Sequence, residues 1–283
     1  MKTLESLPLP ELLLSFDFDG TLHNPGDSDP VSPRFFETIV RLRREKKALW
    51  GINTGRSIAH VVEGLAESRF PFAPDWVIAR EREIWLPDSV GRWVPHEPWN
   101  HQCEKEQHKF FKQVRSTLNA IRHEVEEHTG ATWIEQPGDP AGLIARTEEE
   151  MAWILGRVEE LAGSEPMLGW QRNSIWLRFG HKKYQKGSSL TQVATHFGLV
   201  PAHTFAIGDS HNDFDMLDPH VAAAIACPAN AVSEVRAHVL SHGGFVCSQE
   251  HSHGCVEALE HFFHNGVFTP CKAHPALAGS PKT

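Results

Sequence analysis

Residues 12–22 read LLLSFDFDGTL, and this stretch decides the fold. Five uncharged residues, 12–16, run up to two carboxylates, Asp17 and Asp19. An unbroken apolar run of this length predicts a strand that is buried on both faces, as in a parallel sheet covered by helices. Side chains two positions apart on a strand share a face, so we expect the two carboxylates to project together beyond its carboxyl end. Gly20 then lets the chain turn away sharply.

Outward from this strand, strands and helices alternate in two blocks. The first block predicts a helix over 33–47, a strand over 48–53, a helix over 57–69 with Ser57 as N-cap, and a strand over 76–79. The second block predicts helices over 187–198, 212–217, 230–240 and 255–264 and strands over 203–208, 221–226 and 244–247. This alternation predicts an α/β fold with a doubly wound, Rossmann-like parallel sheet.

The alternation breaks between the two blocks. We predict a β-hairpin over 82–96 with a turn at 88–91, one long amphipathic helix over 104–128, and a helix over 147–162. Strands are predicted over 131–135, 142–146, 166–171 and 174–179. The simplest organisation is a discontinuous core domain of residues 1–98 and 184–283, with an inserted α+β domain of residues 99–183. The last dozen residues read as a loose tail.

The composition is that of an ordinary globular protein. The 283 residues are 40% hydrophobic and 22% charged, with a formal net charge of −9. This excludes a disordered or collagen-like chain, and a nucleic-acid or polybasic membrane binder would be more basic. Five scattered cysteines, an odd number, do not form a disulfide framework. With no membrane-spanning run and a poor secretory signal, we expect a cytoplasmic protein with neither nucleic acid nor membrane as partner.

The pair Asp17 and Asp19 carries possible chemistry. Carboxylates this close repel each other, so a cation is expected beside them. One could act as a nucleophile and the other as a general acid and base. The alternative is a solvated turn after a strand.

Two shorter motifs point to an anion. Residues 53–57 read NTGRS. A hydroxyl together with backbone N–H groups at the start of a helix can bind an anion. The alternative is an ordinary turn, because Thr-Gly is also common in turns. Lys186 stands where the alternation resumes, and a lysine near a helix start could neutralise a phosphate. The alternative for Lys186 is an ordinary surface lysine.

Residues 208–217 read GDSHNDFDML and supply further carboxylates. Asp209 follows an apolar strand, and carboxylates from different strand ends can converge on one hard cation such as Mg²⁺. Asp213, one helical turn later, could orient Asp209 or a metal-bound water. Asp215 and Asp218 are predicted to be solvated charges at a helix end.

Together, FDFDGTL (16–22), NTGRS (53–57), QKG (185–187) and GDSHNDFDML (208–217) resemble the motifs of the haloacid dehalogenase-like phosphohydrolases. The late position of the motif lysine, and the α+β insert between the second and third motifs, resemble the arrangement in the type IIB subgroup. That subgroup contains the sucrose-phosphate, trehalose-phosphate, mannosyl-phosphoglycerate and Cof-type phosphatases, and phosphomannomutase. The run CPANAVSEVRAH (227–238) also resembles the Pro-x-Asn-Ala segment of that subgroup.

The resemblance implies roles for individual residues. Asp17 would attack phosphorus and form an aspartyl-phosphate, while Asp19 would protonate the leaving oxygen and then activate water. Thr54 and Lys186 would hold the phosphoryl oxygens. Further phosphate contacts are expected from Gly20, Gly55, Arg56 and Asn212. The cofactor would be Mg²⁺, held by a carboxylate oxygen of Asp17, the backbone carbonyl of Asp19 and the side chain of Asp209, with Asp213 in support.

The insert would be a cap that selects the leaving group. Its four tryptophans could stack on a sugar or pack the sheet against its helices: Trp133, Trp153, Trp170 and Trp176. We expect Gln171–Asn173 to be a loop tip, with Arg172 and Asn173 as substrate contacts, and His181 and Lys182 are further candidates near the hinge.

Two segments depart from simple expectation. Residues 79–83 read ARERE, where Cof-type proteins usually have Asn-Gly, and are predicted to carry alternating surface charge. The segment Cys247–Cys255 contains His251 and His253. Its spacing is unlike a standard zinc motif, so a polar loop near the active-site mouth is favoured over a zinc site.

These observations favour a phosphatase that acts on the phosphomonoester of a sugar or glycoside, a small-molecule partner, as a monomer or small homo-oligomer. One alternative is a phosphosugar mutase of the same superfamily, whose second phosphate site could use Arg146, Arg172 and Arg178. The other is a non-catalytic sugar-phosphate binder.

Overall fold

The computed structural model describes residues 9–26, 28–136 and 138–263. The chain forms two compact units. The first contains the described residues up to Pro95, then Lys186–Asp209 and the residues from Asp213 onward, and the second contains His96–Gln185 with Ser210–Asn212. The predicted tail lies outside the described residues.

The described residues contain twelve strands and eight α-helices. The strands are β1 (Leu12–Phe16), β2 (Ala48–Asn53), β3 (Trp76–Ala79), β4 (Glu83–Pro87), β5 (Trp93–Pro95), β6 (Thr132–Gln136), β7 (Asp139–Ile144), β8 (Leu168–Asn173), β9 (Trp176–His181), β10 (Thr204–Ile207), β11 (Ala224–Cys227) and β12 (Phe245–Val246). The helices are α1 (Pro33–Lys46), α2 (Ile58–Glu67), α3 (Trp99–Gln113), α4 (Arg115–His128), α5 (Glu148–Leu161), α6 (Lys186–His196), α7 (Ser233–Ser241) and α8 (His251–Phe262).

The first unit is built on one eight-stranded sheet with the order β12-β11-β10-β1-β2-β3-β4-β5. The six strands from β12 to β3 are parallel, and β4 and β5 add an antiparallel hairpin at one edge. The predicted α/β fold with a doubly wound parallel sheet is therefore confirmed. Strand β1 lies in the middle, with Phe16 beside Ile52 of β2 and Ile207 of β10, so polar residues that follow β1 and β10 emerge side by side.

Aromatic packing fixes the central strand. The ring of Phe16 meets Phe35 of α1 edge-on with centroids 5.0 Å apart, and Phe35 in turn packs against Trp50 of β2 at 5.5 Å. All three side chains are fully buried. Burying a large apolar side chain contributes roughly 1.5–3 kcal/mol, so this cluster holds the carboxyl end of β1 rigidly.

The predicted local signals at two turns are confirmed. The Ser57 side chain accepts a hydrogen bond from the backbone N–H of His60 and caps α2. The Asp88 carboxylate accepts bonds from the N–H groups of Val90 and Arg92, each at 2.9 Å, and closes the hairpin turn.

The prediction of one helix over 104–128 was wrong. The helical segment begins at Trp99 and is interrupted at Val114, whose φ of −90° and ψ of 10° separate α3 from α4. Phe110, Val114 and Leu118 are all buried at a spacing of four residues, so the apolar period continues across the interruption. Periodicity alone could not reveal the break.

The helix predicted over 212–217 was also wrong. This segment has a single 3₁₀ turn, His211–Asp213, followed by turns. The Asp213 carboxylate accepts a hydrogen bond from the backbone N–H of Asp209 at 2.9 Å. Such a local side-chain bond competes with α-helical hydrogen bonding and stabilises the tighter turn.

The second unit is an α+β structure. Its antiparallel sheet has the order β6-β7-β9-β8, and α4 and α5 contribute Ile121 and Ile154 to its buried core. Trp133 stacks on Phe179 with centroids 5.6 Å apart, while Trp153 and Trp176 are exposed. Within the described residues, no helix has both the length and the apolar character required to cross a bilayer.

The predicted loop tip at Gln171–Asn173 was wrong. These residues belong to β8 and pair with Trp176–Arg178 of β9. The turn itself lies at Ser174 and Ile175, where Ser174 adopts a φ of +49°. The guanidinium of Arg172 binds the Glu148 carboxylate and the Ser174 carbonyl.

Candidate active site

Asp17 and Asp209 lie next to each other because their strands are neighbours. Asp17 follows β1, Asp209 follows β10 after one glycine, and the Asp17 backbone N–H donates to the Ile207 carbonyl at 3.0 Å. The Thr21 hydroxyl donates to Asp209 Oδ1 at 2.6 Å. The carboxyl ends of adjacent parallel strands thus gather two carboxylates and a hydroxyl at the usual ligand-binding edge of such a sheet.

Lys186 supplies a positive charge at this edge of the sheet. Its Nζ lies 2.6 Å from Asp17 Oδ1 and 2.6 Å from Asp213 Oδ1, and its side chain is fully buried. The Asn53 side-chain amide donates to the Lys186 backbone carbonyl at 3.0 Å and fixes the start of α6. The alternative of a surface lysine was therefore wrong.

Asp213 connects Lys186 with Asp209. One of its oxygens binds Lys186, and the other accepts the backbone N–H of Asp209. This fold-back requires Gly208, because a Cβ at that position would lie 2.4 Å from Asp213 Cγ.

The three carboxylates fit a bound metal ion. One carboxylate oxygen from each of Asp17, Asp209 and Asp213 lies within 4.8 Å of the others. Burial raises the pKa of Asp17 well above its ordinary value, and repulsion from Asp213 and Asp209 adds to this effect although Lys186 opposes it. Burial and repulsion from Asp213 raise the pKa of Asp209 to about 6. Such a set gains from a second cation, and its hard oxygen ligands suit Mg²⁺.

Lys186 remains charged within this cluster. Burial by itself would lower its pKa, but the attraction of Asp17, Asp213 and Glu81 outweighs burial and raises the pKa. The site therefore keeps a fixed positive charge that can stabilise a bound anion.

Asp19 lies in different surroundings. Its two carboxylate oxygens face Nε and Nη2 of Arg56 at 2.7 and 2.5 Å, and His23 Nδ1 lies 3.5 Å away. Phe18 contacts both residues, with the Arg56 guanidinium 4.8 Å from its ring and the His23 ring stacked at 4.8 Å. Burial would raise the pKa of Asp19, but the nearby His23 and the hydrogen bonds from Arg56 lower it below its ordinary value.

The loop of residues 54–56 is held by backbone hydrogen bonds. The Thr54 hydroxyl accepts the Arg56 N–H at 3.2 Å, and Thr54 is buried while Gly55 is partly exposed. The N–H groups of Arg80 and Glu81 donate to the carbonyls of Arg56 and Thr54, each at 2.8 Å.

These bonds explain why the surface-charge prediction for 79–83 was wrong. Arg80 and Glu81 adopt left-handed backbone conformations, with φ of 47° and 66°. Glu81 and Arg82 are only 4% and 8% exposed. The strained turn is retained because it ties the end of β3 to the loop of Thr54.

Asp215 was wrongly expected to be a solvated charge. Its carboxylate accepts the backbone N–H of Gly187 at 2.7 Å, at the positive end of α6. Burial raises the pKa of Asp215 to about 7.

The other predicted substrate contacts lie elsewhere. Asn212 lies in the 3₁₀ turn His211–Asp213, and Arg172 and Asn173 lie in the second unit.

The loop prediction for the segment Cys247–Cys255 holds only for residues 247–250 and was wrong for the rest, because α8 begins at His251. Cys247 donates to the Gly254 carbonyl, and Cys255 to the Thr21 carbonyl. Among the residues that the structure describes, Asp17, Asp209 and Asp213 form the only group of three or more potential metal ligands, so no zinc cluster is found at this segment.

Sequence reasoning missed several residues near Asp17 and Asp19. Thr21 and His23 lie in or directly after the quoted first motif, but neither was singled out. Asn230 lies in the quoted run 227–238, and His251 was placed in the wrong element. The contacts of the last two, both with the Gly20 carbonyl, join segments more than 200 residues apart and leave no local signal.

Comparison with known proteins agrees with this geometry. Residues 74–259, more than half of the chain, match the family model for haloacid dehalogenase-like hydrolases. The chain belongs to this family. A phosphoglycolate phosphatase from Methanoculleus marisnigri is 35% identical over 78 residues, which cover 28% of this chain and 31% of that protein. The chain therefore matches only about a third of that relative's length.

Solved structures share the fold. The sucrose-phosphatase of Synechocystis sp. PCC6803, determined with sucrose and phosphate, has a TM-score of 0.68 at 18% identity and covers 89% of this chain and 98% of its own. A sugar phosphatase of haloacid dehalogenase subclass IIB has a TM-score of 0.61 at 18% identity, with coverage of 89% and 98%. At this identity the likeness concerns the fold, which is the one that the sequence motifs implied.

Proposed function

We propose that this protein is a Mg²⁺-dependent phosphatase that hydrolyses a phosphomonoester of a sugar or glycoside through an aspartyl-phosphate on Asp17. The observation that carries the proposal is the buried set of Asp17, Lys186, Asp209 and Asp213 at the carboxyl ends of β1 and β10. Family membership and the phosphatase names among the similar proteins support the reaction class.

In the first step an oxygen of Asp17 attacks phosphorus. The bond between phosphorus and the sugar oxygen breaks, Asp19 gives a proton to that oxygen, and the free sugar leaves. In the second step Asp19 takes a proton from water, and the hydroxide attacks phosphorus. Inorganic phosphate leaves, and the Asp17 carboxylate is restored.

Asp17, Asp209 and Asp213 would hold Mg²⁺ together with the backbone carbonyl of Asp19. When bound, Mg²⁺ would offset the carboxylate repulsion and polarise the phosphoryl oxygens. Lys186 supplies a fixed positive charge beside Asp17. Thr54 would hold a phosphoryl oxygen. Further phosphate contacts are proposed for Gly20, Gly55, Arg56 and Asn212.

The pair of Asp19 and Arg56 fits the second step directly. The lowered pKa of Asp19 keeps its carboxylate ionised, and the ionised form is the one that can accept a proton from water. For the first step the Asp19 carboxyl must carry a proton. We therefore infer that the Arg56 guanidinium lets go of the Asp19 side chain when substrate binds, so that the pKa of Asp19 rises. A phosphate next to Arg56 would compete for the same guanidinium.

We propose that the inserted domain, residues 99–183, is a cap that selects the leaving group, with Arg172 and Asn173 as candidate substrate contacts. A cytoplasmic location is also proposed. The four cysteines that the structure describes are buried and not disulfide-bonded, as expected in a reducing compartment: Cys103, Cys227, Cys247 and Cys255.

The mutase alternative gains no support from the arginines of the second unit. Arg146 and Arg172 each bind a glutamate, Glu150 and Glu148 respectively. Arg178 lies 3.7 Å from Asp139. A second phosphate would have to displace these partners.

The test is phosphate release from a panel of phosphomonoesters, with Mg²⁺ and with EDTA. The panel contains sucrose 6-phosphate, trehalose 6-phosphate, mannosyl-3-phosphoglycerate, hexose phosphates, phosphoglycolate and p-nitrophenyl phosphate. We expect metal-dependent release that favours one sugar phosphate. Metal-independent release, or release from phosphoglycolate alone, would contradict the proposal.

A further inference from the structure

The carbonyl oxygen of Gly20 accepts two side-chain hydrogen bonds from remote parts of the chain. Asn230 Nδ2 lies 2.7 Å away and His251 Nδ1 lies 2.9 Å away. Since the acceptor is a carbonyl, His251 Nδ1 must carry the proton. The His251 backbone N–H also donates to Asn230 Oδ1 at 3.0 Å. The three residues therefore form a closed set of hydrogen bonds, which we call the Gly20 clamp.

Gly20 is a position where the backbone requires external support. It has a φ of +81°, and a Cβ there would lie 2.6 Å from Asp209 Oδ2. Only glycine fits, and glycine is the residue with the greatest backbone freedom. Its N–H donates to the His23 carbonyl at 3.1 Å. In a trans peptide the Asp19 carbonyl and the Gly20 N–H point in opposite directions. The hydrogen bonds of the Gly20 N–H and of the Gly20 carbonyl therefore together set the direction of the Asp19 carbonyl.

His251 is itself held in an unusual conformation. It is the first residue of α8 and has a φ of +48°. A non-glycine residue in the left-handed region costs stability, although histidine tolerates it better than most residues. Such an outlier persists where neighbouring contacts maintain it and is common at functional sites. Here the ring reaches the backbone between Asp19 and Thr21.

We infer that His251, acting with Asn230, is a positioning residue that fixes the backbone of residues 19–21 at the proposed Mg²⁺ and phosphate site. The inference rests on the proposed function, because it assigns the Asp19 carbonyl to the metal. It also gives a role to the histidine at the start of α8. His251 acts through its hydrogen bond to the Gly20 carbonyl.

Three variants separate the hydrogen bond from the backbone effect. His251→Gly removes the ring and also relieves the left-handed strain, so it should fold as well as the wild type. His251→Asn places an amide nitrogen at the same number of bonds from the backbone as Nδ1, and asparagine accepts a positive φ. His253→Ala is the matched control, because His253 is exposed in the same helical turn.

The readouts are the Mg²⁺ dissociation constant by titration calorimetry without substrate, and the turnover of p-nitrophenyl phosphate across Mg²⁺ concentrations. For His251→Gly we expect Mg²⁺ affinity to weaken about 2- to 12-fold, the range that one hydrogen bond supports, with an unchanged melting temperature. His251→Asn should recover most of the affinity, and His253→Ala should match the wild type.

Wild-type Mg²⁺ affinity in His251→Gly would overturn the inference. So would equal losses in His251→Gly and His251→Asn, because the donor would then not be the cause. If the wild type hydrolyses no phosphomonoester but His251→Gly still weakens Mg²⁺ binding, the proposed function fails while the positioning role stands.

Discussion

Lys186 and Lys183 lie three residues apart, and each binds carboxylate oxygens at hydrogen-bonding distance. Lys186, in the first unit, is fully buried between Asp17 and Asp213. Lys183, in the second unit, is 44% exposed and binds both oxygens of Glu106 at 2.8 and 3.0 Å. The distances are similar, but the surroundings differ.

The carboxylates respond in opposite directions. Hydrogen bonds from Lys183 and Gln102 lower the pKa of Glu106 to about 2, because little burial opposes them. Burial outweighs the attraction of Lys186 and raises the pKa of Asp17. Solvent access, rather than distance, therefore decides whether an ion pair holds a carboxylate ionised or leaves it in need of a further cation.

The largest effect is expected from Asp17→Asn in the buried cluster. We expect turnover to fall about 10³-fold or more, since the nucleophile is lost. Stability should be kept, because Lys186 retains Asp213 and one of three repelling carboxylates is removed. Turnover of the best substrate from the panel and thermal unfolding would be measured together. Turnover close to that of the wild type would exclude an aspartyl-phosphate on Asp17.

Lys186→Met and Lys183→Met test the comparison directly. Removing Lys186 leaves buried carboxylates without their cation, which typically costs about 3–5 kcal/mol of unfolding free energy. Removing Lys183 breaks an exposed pair and should cost less than about 1 kcal/mol. Denaturant unfolding of both variants in EDTA gives the two values. Equal losses would show that burial does not distinguish the pairs.

Arg56→Lys probes the Arg56–Asp19 ion pair, whose exposure to solvent lies between that of the Lys186 and Lys183 pairs. Lysine keeps the charge but loses the two-point contact with Asp19, so the pKa of Asp19 should rise. With p-nitrophenyl phosphate, whose leaving group needs no proton, and with saturating Mg²⁺, which would keep Asp17 and Asp209 ionised, the acidic limb of kcat reports ionised Asp19. We expect this limb to move to higher pH and kcat to fall roughly tenfold. An unmoved limb would argue against Asp19 as the base.

The smallest effect is expected from Glu106→Gln in the second unit. Because the pKa of Glu106 is lowered from 4.5 to about 2, its ionised form stabilises the fold above pH 4.5, and this contribution is lost as the pH falls toward 2. The variant should be less stable than the wild type by at most about 1 kcal/mol at pH 6, with the gap closing near pH 2. Glu104→Gln, an exposed residue of the same helix, is the control.

The sequence predicted the parts of the site that follow from strand order. Asp17 and Asp209 each come after an apolar strand, and parallel strands end at one edge, so their proximity could be inferred. The burial of Lys186 could not, because it depends on Asp17 and Asp213, which lie far from it in sequence. The helix break at Val114 was hidden because the apolar spacing continues through it. Asp215 looked like a surface charge because its partner, the Gly187 N–H, is a backbone group.

The pairing of β1 with β10 also has a consequence for synthesis on the ribosome. Leu13 pairs with Thr204, so one side of the buried strand β1 lacks its partner until roughly 190 further residues have been made. At about 5–20 residues per second, that interval is on the order of 10–40 s. An exposed apolar strand edge readily joins another chain. This edge of β1 therefore stays open while the second unit is translated, which leaves the nascent chain exposed to aggregation during that interval.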